Sequence, residues 1–169
     1  MKKTQRAPGK RRMAREMAIQ MLFQIDLGGS TPASAFDAFD LADYLRGDEG
    51  DEDAPLRRPV VGERLEEARR ALEQARELVE GTVESAGEID ALLTSQAENW
   101  RLERMPAVDR NILRLAIYEM LHTPDVPKLV VLDEAVELAK NFGSENSSRF
   151  VNGLLDGLMR SHDLPGRVR

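Results

Sequence analysis

The stretch that decides the fold is residues 108–121, VDRNILRLAIYEML, which follow Pro106. Apolar side chains recur there at the spacing of one face of a 3.6-residue helix: Val108, Ile112, Leu115 and Ala116. A second set widens that face: Leu113, Ile117, Met120 and Leu121. An apolar arc this wide is typical of a helix that is buried on most of its sides. The sequence therefore predicts a central helix that begins at Pro106 and carries the core.

Segments on both sides of this helix have the same period. The first runs from Ala14 to Ile25 and ends at Gly28, where glycine favours a helix C-cap. Thr31 before Pro32 predicts the N-cap of a weaker helix over 33–45. The remaining periodic segments are 62–80, 129–142 and a last one that Ser144 is expected to cap, with its apolar stripe from Phe150 to Met159. Gly81 and Gly87 are expected to kink or interrupt the chain after the first of these segments. No alternating strand pattern competes, so we predict an all-α fold of about seven helices.

Composition excludes several classes of function. The chain has 169 residues, no cysteine and two histidines, so disulfide scaffolds and thiolate catalysis are excluded. It lacks a glycine-rich phosphate loop and the common hydrolase motifs, and the paired carboxylates on its helices are typical of solvated faces. We therefore predict that the protein is not an enzyme and has no metal site or cofactor. No apolar run is long enough for a membrane span, and a cytoplasmic protein is expected.

Charge is distributed unevenly along the chain. Residues 1–15 contain no acid and seven basic residues: Lys2, Lys3, Arg6, Lys10, Arg11, Arg12 and Arg15. Because the net charge of the whole chain is −6, the remainder carries −13. A basic segment that leads into an amphipathic helix favours an anionic partner, since arginine binds phosphate oxygens bidentately. A solvated basic tail is the alternative interpretation.

These patterns divide the chain into four parts. Residues 1–10 are interpreted as a flexible basic arm, and 11–160 as one helical domain. Within that domain, 46–59 is rich in glycine and acidic residues and is interpreted as an exposed acidic loop insertion. Residues 161–169 are interpreted as a flexible tail.

A second polar feature lies between the last two predicted helices. Residues 142–153, FGSENSSRFVNG, hold a tight turn with Asn146 and with Arg149 close by. Asn and Ser side chains can read the edges of nucleic-acid bases, and they are also ordinary capping residues. From the residues alone both interpretations stay open.

Five segments together resemble the NusB family of bacterial transcription factors. They occur in the family's order: RRMARE at 11–16, DRNILRLAIYEM at 109–120, Val126-Pro127, DEAVELAK at 133–140 and the turn at 142–153. The resemblance implies an all-helical fold of two packed subdomains without catalysis. It also implies binding of the single-stranded boxA element of ribosomal leader RNA together with the ribosomal protein NusE. That pair helps RNA polymerase read through terminators in ribosomal RNA operons.

The resemblance also implies which residues form the binding surfaces. The expected RNA-binding residues are Lys10, Arg11, Arg12, Arg15, Asn146, Arg149 and Phe150. Phe23 and Asp109 match positions expected to contact NusE. Asn146 is neutral where the family often has an acid, so we expect undiminished RNA affinity. Gln96 stands where a base-stacking tyrosine is expected, which predicts the loss of one contact.

Three alternatives stay open at this point. The chain could be a helical homodimer without specific RNA reading, its basic arm tucked into the partner. The acidic loop at 48–53 could cover the basic arm of its own chain. The protein could also be an orphan RNA-binding module related to the NusB-like domain of RNA cytosine methyltransferases.

Overall fold

The computed structural model describes residues 9–47, 62–97, 100–162 and 164. These residues form eight α-helices and one short 3-10 helix, and no strand occurs among them. The helices are α1 (Lys10–Gly28), α2 (Pro32–Ala38), α3 (Leu41–Gly47), α4 (Glu63–Glu84), α5 (Ala86–Gln96), the 3-10 helix (Leu102–Arg104), α6 (Ala107–His122), α7 (Lys128–Phe142) and α8 (Ser147–Ser161). The all-α prediction is confirmed. None of the helices in these described ranges is both long and apolar enough to cross a membrane.

The predicted central helix is α6, and it is buried on most of its sides. It packs against α1 and α4 from the N-terminal half of the chain, and against α5, α7 and α8 from the C-terminal half. All of its large aliphatic residues up to Met120 except Val108 are fully buried, which agrees with the wide apolar arc of the sequence. The N-terminal helices and the C-terminal helices therefore share one core through α6.

Polar contacts also fix α1 to the start of α6. Asp26 accepts hydrogen bonds from Arg110 Nη2 at 2.6 Å and from Asn111 Nδ2 at 3.1 Å. The Arg110 guanidinium also donates to the backbone oxygens of Leu102 and Met105. Because hydrogen-bonded charges inside a core tolerate few geometries, this cluster sets the orientation of α1 on α6.

The prediction of a single weak helix over 33–45 is wrong, because two helices, α2 and α3, occupy that segment. Thr31 caps the first, as expected, and its Oγ1 accepts from the Ser34 amide at 3.1 Å. The break falls at Phe39, whose backbone is extended, and the Asp40 carboxylate then accepts from the Asp43 amide at 2.9 Å. Aspartate readily caps a helix N-terminus, so Asp40 starts α3 where the apolar pattern alone showed continuity.

Gly81 neither ends nor interrupts α4, which continues to Glu84. A Cβ atom at Gly81 would lie 2.2 Å from the Tyr118 ring of α6. The glycine therefore allows α4 and α6 to approach closely. The change of helix occurs four residues later, at Ser85.

Several expectations fall outside the described residues. These are the basic arm before Gly9, most of the acidic loop, and residues 163 and 165–169 of the tail. In the described part of the tail, Ser161 ends α8 and Leu164 is buried, with its backbone oxygen accepting from the Lys128 ammonium.

Candidate nucleic-acid interface

The start of α1 presents basic side chains to solvent because the apolar face of the helix fixes its rotation. Met13 and Ala14 are buried against the core, which leaves Lys10 and Arg11 exposed. Gly9 occupies the N-cap position and supplies no side-chain oxygen to the first helical amides. Unoccupied amides and the positive end of the helix dipole favour an anion at this position.

Arg12 lies on the flank of this helix and is paired across the molecule. Its Nε and Nη2 atoms donate to Glu134 of α7 at 3.0 and 2.8 Å. The Arg12 side chain is 41% exposed, whereas that of Glu134 is 19% exposed. The hydrogen bond to Glu134 raises the pKa of the Arg12 guanidinium, and the same bond lowers the pKa of the Glu134 carboxyl. Arg12 is therefore at the surface, with two of its donors already used.

Arg15 was expected at the RNA surface, and the structure places it inside the protein instead. Its guanidinium donates to both carboxylate oxygens of Glu119 in α6, with the shortest contacts at 2.9 Å. Both side chains are only 6% exposed. Arg15 lies on the buried side of α1, between Ala14 and Met17. It therefore holds α1 to α6 and is not accessible to a phosphate in this conformation.

Asn146, in the turn before α8, and Arg149, in the first turn of α8, are exposed, as expected from the sequence. Asn146 is the N-cap residue of α8, yet its side chain makes no capping hydrogen bond, so the amide is available. Ser147 is buried and ties the turn together, since its Oγ accepts from the Ser144 amide at 2.9 Å. A Cβ atom at Gly143 would lie 2.4 Å from Ser147, which explains the glycine. Ser144 and Ser147 therefore hold the turn together from within, and Asn146 is left exposed.

An aromatic pair stands beside this turn. The ring of Trp100 meets the ring of Phe150 edge to face, with centroids 5.7 Å apart. Phe150 is half-buried, whereas Trp100 is 55% exposed, an unusual exposure for the single tryptophan of the chain. An exposed aromatic ring next to arginine side chains is suited to stacking on an unpaired base.

Sequence reasoning missed Trp100 and assigned the missing stacking contact to Gln96. The Gln96 side chain accepts from Ser161 Oγ at 2.8 Å and packs near Gly157, at the far end of α8. Phe150 lies 7 residues before Gly157 and 11 before Ser161, which is about 10 and about 16 Å along the helix axis. The available signal was a tryptophan followed by Arg101 in an otherwise polar segment.

Helix α7 connects the two parts of the surface. Glu134, which holds Arg12, is eight residues before the end of α7 at Phe142. That separation is about 12 Å along the helix axis. The basic start of α1 and the turn at 143–146 are thus within reach of a few consecutive nucleotides. Together with Trp100 and Phe150 they form the candidate interface.

The two residues expected to contact a protein partner differ in exposure. Phe23 is on the outer side of α1, and Leu27, one turn later, is exposed as well. Asp109 is only 4% exposed, and its Oδ1 atom has no hydrogen-bond partner among the described residues. It lies in the first turn of α6, the turn that Asp26 ties to α1 through Arg110. Of these residues, Phe23 and Leu27 are available to a partner at the surface, whereas Asp109 is buried.

Comparison with known proteins bears on this arrangement. The family model for the NusB family matches residues 12–160, which run from the first turn of α1 to the last turn of α8. This chain belongs to the NusB family. Its similarity to individual NusB proteins extends over most of both chains. The transcription antitermination protein NusB of Myxococcus xanthus is 44% identical over 148 residues, covering 88% of this chain and 93% of that protein.

A second NusB, from Symbiobacterium thermophilum, is 46% identical over 150 residues, which cover 89% of this chain and 89% of that protein. Among solved structures, T. maritima NusB superposes with a TM-score of 0.62 at 35% identity, over 92% of this chain and 93% of that one. A structure of the antitermination factors NusB and NusE in complex with dsRNA matches with a TM-score of 0.67 at 24% identity, over 90% of this chain and 98% of that one. That last likeness concerns the fold alone.

Proposed function

We propose that this NusB-family protein is an RNA-binding adaptor in transcription antitermination. The observation that carries the proposal is the joint exposure of basic, amide and aromatic side chains around α7. Lys10 and Arg11 supply positive charge, Asn146 and Arg149 supply hydrogen-bond donors, and Trp100 supplies a stacking surface. The described residues offer no cluster of His, Cys, Asp and Glu that could hold a metal ion, and the chemistry needed is binding alone.

The order of events follows from the range of each force. Charge attraction acts at long range, so the basic start of α1 captures the phosphate backbone first. Stacking on Trp100 and hydrogen bonding at Asn146 act only on contact. Both require bases that are unstacked, because an A-form duplex hides its base edges in a narrow groove. Single-stranded RNA of the boxA type from ribosomal leader transcripts is therefore the proposed ligand.

The proposed protein partner is NusE, on the outer surface of α1. Phe23 and Leu27 are exposed one helical turn apart, and large exposed apolar residues often mark a protein contact. A NusB of the same fold is found in complex with NusE and dsRNA. In this proposal the adaptor joins RNA and NusE to RNA polymerase, in the cytoplasm. Neither the homodimer nor the methyltransferase-module alternative gains support from the surfaces described.

The salt dependence of RNA binding tests the electrostatic part of the proposal. Lys10, Arg11 and Arg149 are exposed, whereas Arg12 already has Glu134 as its counter-charge, so the expected slope of log K against log salt is about −2 for a single strand. The double variant Arg11→Ala/Arg12→Ala should reduce the magnitude of that slope by about 0.7, because only Arg11 contributes to it in the wild type. Fluorescence anisotropy with a labelled boxA-type RNA across a salt series measures both values.

The matched control is Arg69→Ala/Arg160→Ala, which removes the same charge from exposed positions on α4 and at the end of α8. It should leave the slope close to that of the wild type. Equal slopes for all three proteins would contradict the assignment of the RNA surface to the start of α1.

A further inference from the structure

Arg12 meets a carboxylate in the manner in which it would meet a phosphate. The Nε and Nη2 donors form a side-on fork, and Glu134 Oε2 and Oε1 accept from them at 3.0 and 2.8 Å. The same fork binds two oxygens of a phosphate bidentately. In the RNA-free protein these donors are therefore occupied by an internal anion.

The surroundings of Arg12 add further negative charge. Besides Glu134, the carboxylates of Glu137 and Glu16 act electrostatically on the Arg12 guanidinium. Lys10, two residues earlier, lines an open groove with three carboxylates and one further cation: Glu63, Glu66, Glu67 and Arg70. Carboxylates beside an RNA-binding surface repel the RNA backbone, so their presence costs affinity.

The Arg12–Glu134 pair is not needed to hold α1 in place. One turn later, the buried Arg15–Glu119 pair fixes α1 to α6, and the apolar face of α1 is buried along its length. A half-exposed ion pair contributes little to stability by comparison. A purely structural role therefore leaves the position of Glu134, at the edge of the RNA surface, unexplained.

We propose that Glu134 is an internal competitor for RNA at Arg12 and sets an affinity threshold for binding. The inference rests on the proposed function, since it assumes that phosphate replaces the carboxylate at the same two donors. RNA must displace Glu134 to gain Arg12, so charge attraction alone holds RNA weakly. Binding becomes tight only when contacts to bases are added at the turn 143–146 and the first turn of α8, or when a partner protein is added. Glu134 thus affects RNA binding through Arg12, by occupying its two donors in the free protein.

The test is Glu134→Gln, which keeps the shape of the side chain and removes its charge. We expect about two- to fivefold tighter binding of single-stranded RNA, because a part-exposed ion pair no longer has to be broken. The salt slope should steepen by about 0.7, since Arg12 then releases a counterion that it lacks in the wild type. Anisotropy with a boxA-type 12-mer and with a scrambled 12-mer measures both effects.

Two comparisons separate this role from a general charge effect. Asp133→Asn removes the same charge from the preceding, exposed position and should change the affinity less than Glu134→Gln does. In an Arg12→Ala background, Glu134→Gln should have no effect beyond that of Asp133→Asn. Equal or weaker binding by Glu134→Gln than by Asp133→Asn overturns the proposal.

A measurement on the unaltered protein covers the case in which the variant folds poorly. The Nε–H resonance of Arg12 in a nitrogen-15 spectrum should shift as RNA is added, because its acceptor changes from carboxylate to phosphate. An unshifted resonance at saturation also overturns the proposal. Equal affinity of the wild type for both RNAs contradicts instead the proposed function, and no binding to either RNA at low salt contradicts both.

Discussion

At the scale of single residues, two arginines one turn apart on α1 have different environments. Arg12 is at the surface and shares its charge with Glu134, whereas Arg15 is buried against Glu119. The difference comes from the rotation of α1, which Met17 and Ala18 fix by their burial. A motif of closely spaced arginines therefore predicts a basic segment, and only the packing of the helix decides which arginines can reach a ligand.

Trp100 carries the stacking prediction at this scale. Trp100→Ala should weaken binding of single-stranded RNA by about tenfold, since one base–aromatic contact is worth about 1–3 kcal/mol. Trp100→Phe should retain most of the affinity because it keeps an aromatic face. Unchanged affinity of Trp100→Ala would exclude this ring from the interface. Because the chain has one tryptophan, quenching of its fluorescence by unlabelled RNA is an independent check on the wild type.

Glu134 makes a prediction about pH. Its hydrogen bond with Arg12 lowers the folded-state pKa below the usual value of 4.5, although partial burial opposes this. A lowered carboxyl pKa stabilises the fold above the unfolded-state value, and that contribution disappears as pH falls through the folded-state value. The wild type should therefore exceed Glu134→Gln in unfolding free energy by about 1 kcal/mol or less at neutral pH.

Urea unfolding of both proteins from neutral pH down to about pH 3 measures this difference, which should shrink toward zero on the acidic side. A difference that stays constant over the whole range would show that the ionised carboxylate is not the stabilising form.

At the scale of helices, the packing of an aromatic ring against a glycine explains what hydrophobic periodicity does not. Gly81→Ala should destabilise the protein by about 1–3 kcal/mol, because its Cβ would overlap the Tyr118 ring where α4 crosses α6. Gly87→Ala is the matched control, since nothing lies within 4 Å of a Cβ there. It should be neutral or stabilising by up to about 1 kcal/mol, as expected for alanine in a helix. Thermal unfolding distinguishes the two, and an equally stable Gly81→Ala would contradict the close packing.

The sequence predicts helices well where one apolar face repeats, and less well where polar side chains decide. The periods of α1, α6 and α8 correspond to buried faces in the structure. The break between α2 and α3 depends on the capping carboxylate of Asp40, a local hydrogen bond that leaves the apolar pattern intact. At the interface, basic and polar residues were identifiable by type. The burial of Arg15 and the pairing of Trp100 with Phe150 depend on contacts between distant segments, which spacing does not reveal.

At the scale of the whole molecule, the proposed binding surfaces lie toward the two ends of α1. The basic start of α1, the turn 143–146 and the first turn of α8 form the proposed RNA surface. Phe23 and Leu27 form the proposed protein surface. Both surfaces include the same helix, which Asp26 and Arg15 hold to α6, and they share no residue. The arrangement suits an adaptor that holds RNA and protein at the same time.

The most direct test of the adaptor function is RNA affinity with and without NusE. Anisotropy of a boxA-type single strand and of its scrambled counterpart is measured at fixed salt, with wild-type protein and with Phe23→Ala/Leu27→Ala as the control for the protein surface. The account predicts preference for boxA, tighter binding when NusE is added, and loss of that gain in the control variant. Equal affinity for the two RNAs, unchanged by NusE, would contradict it.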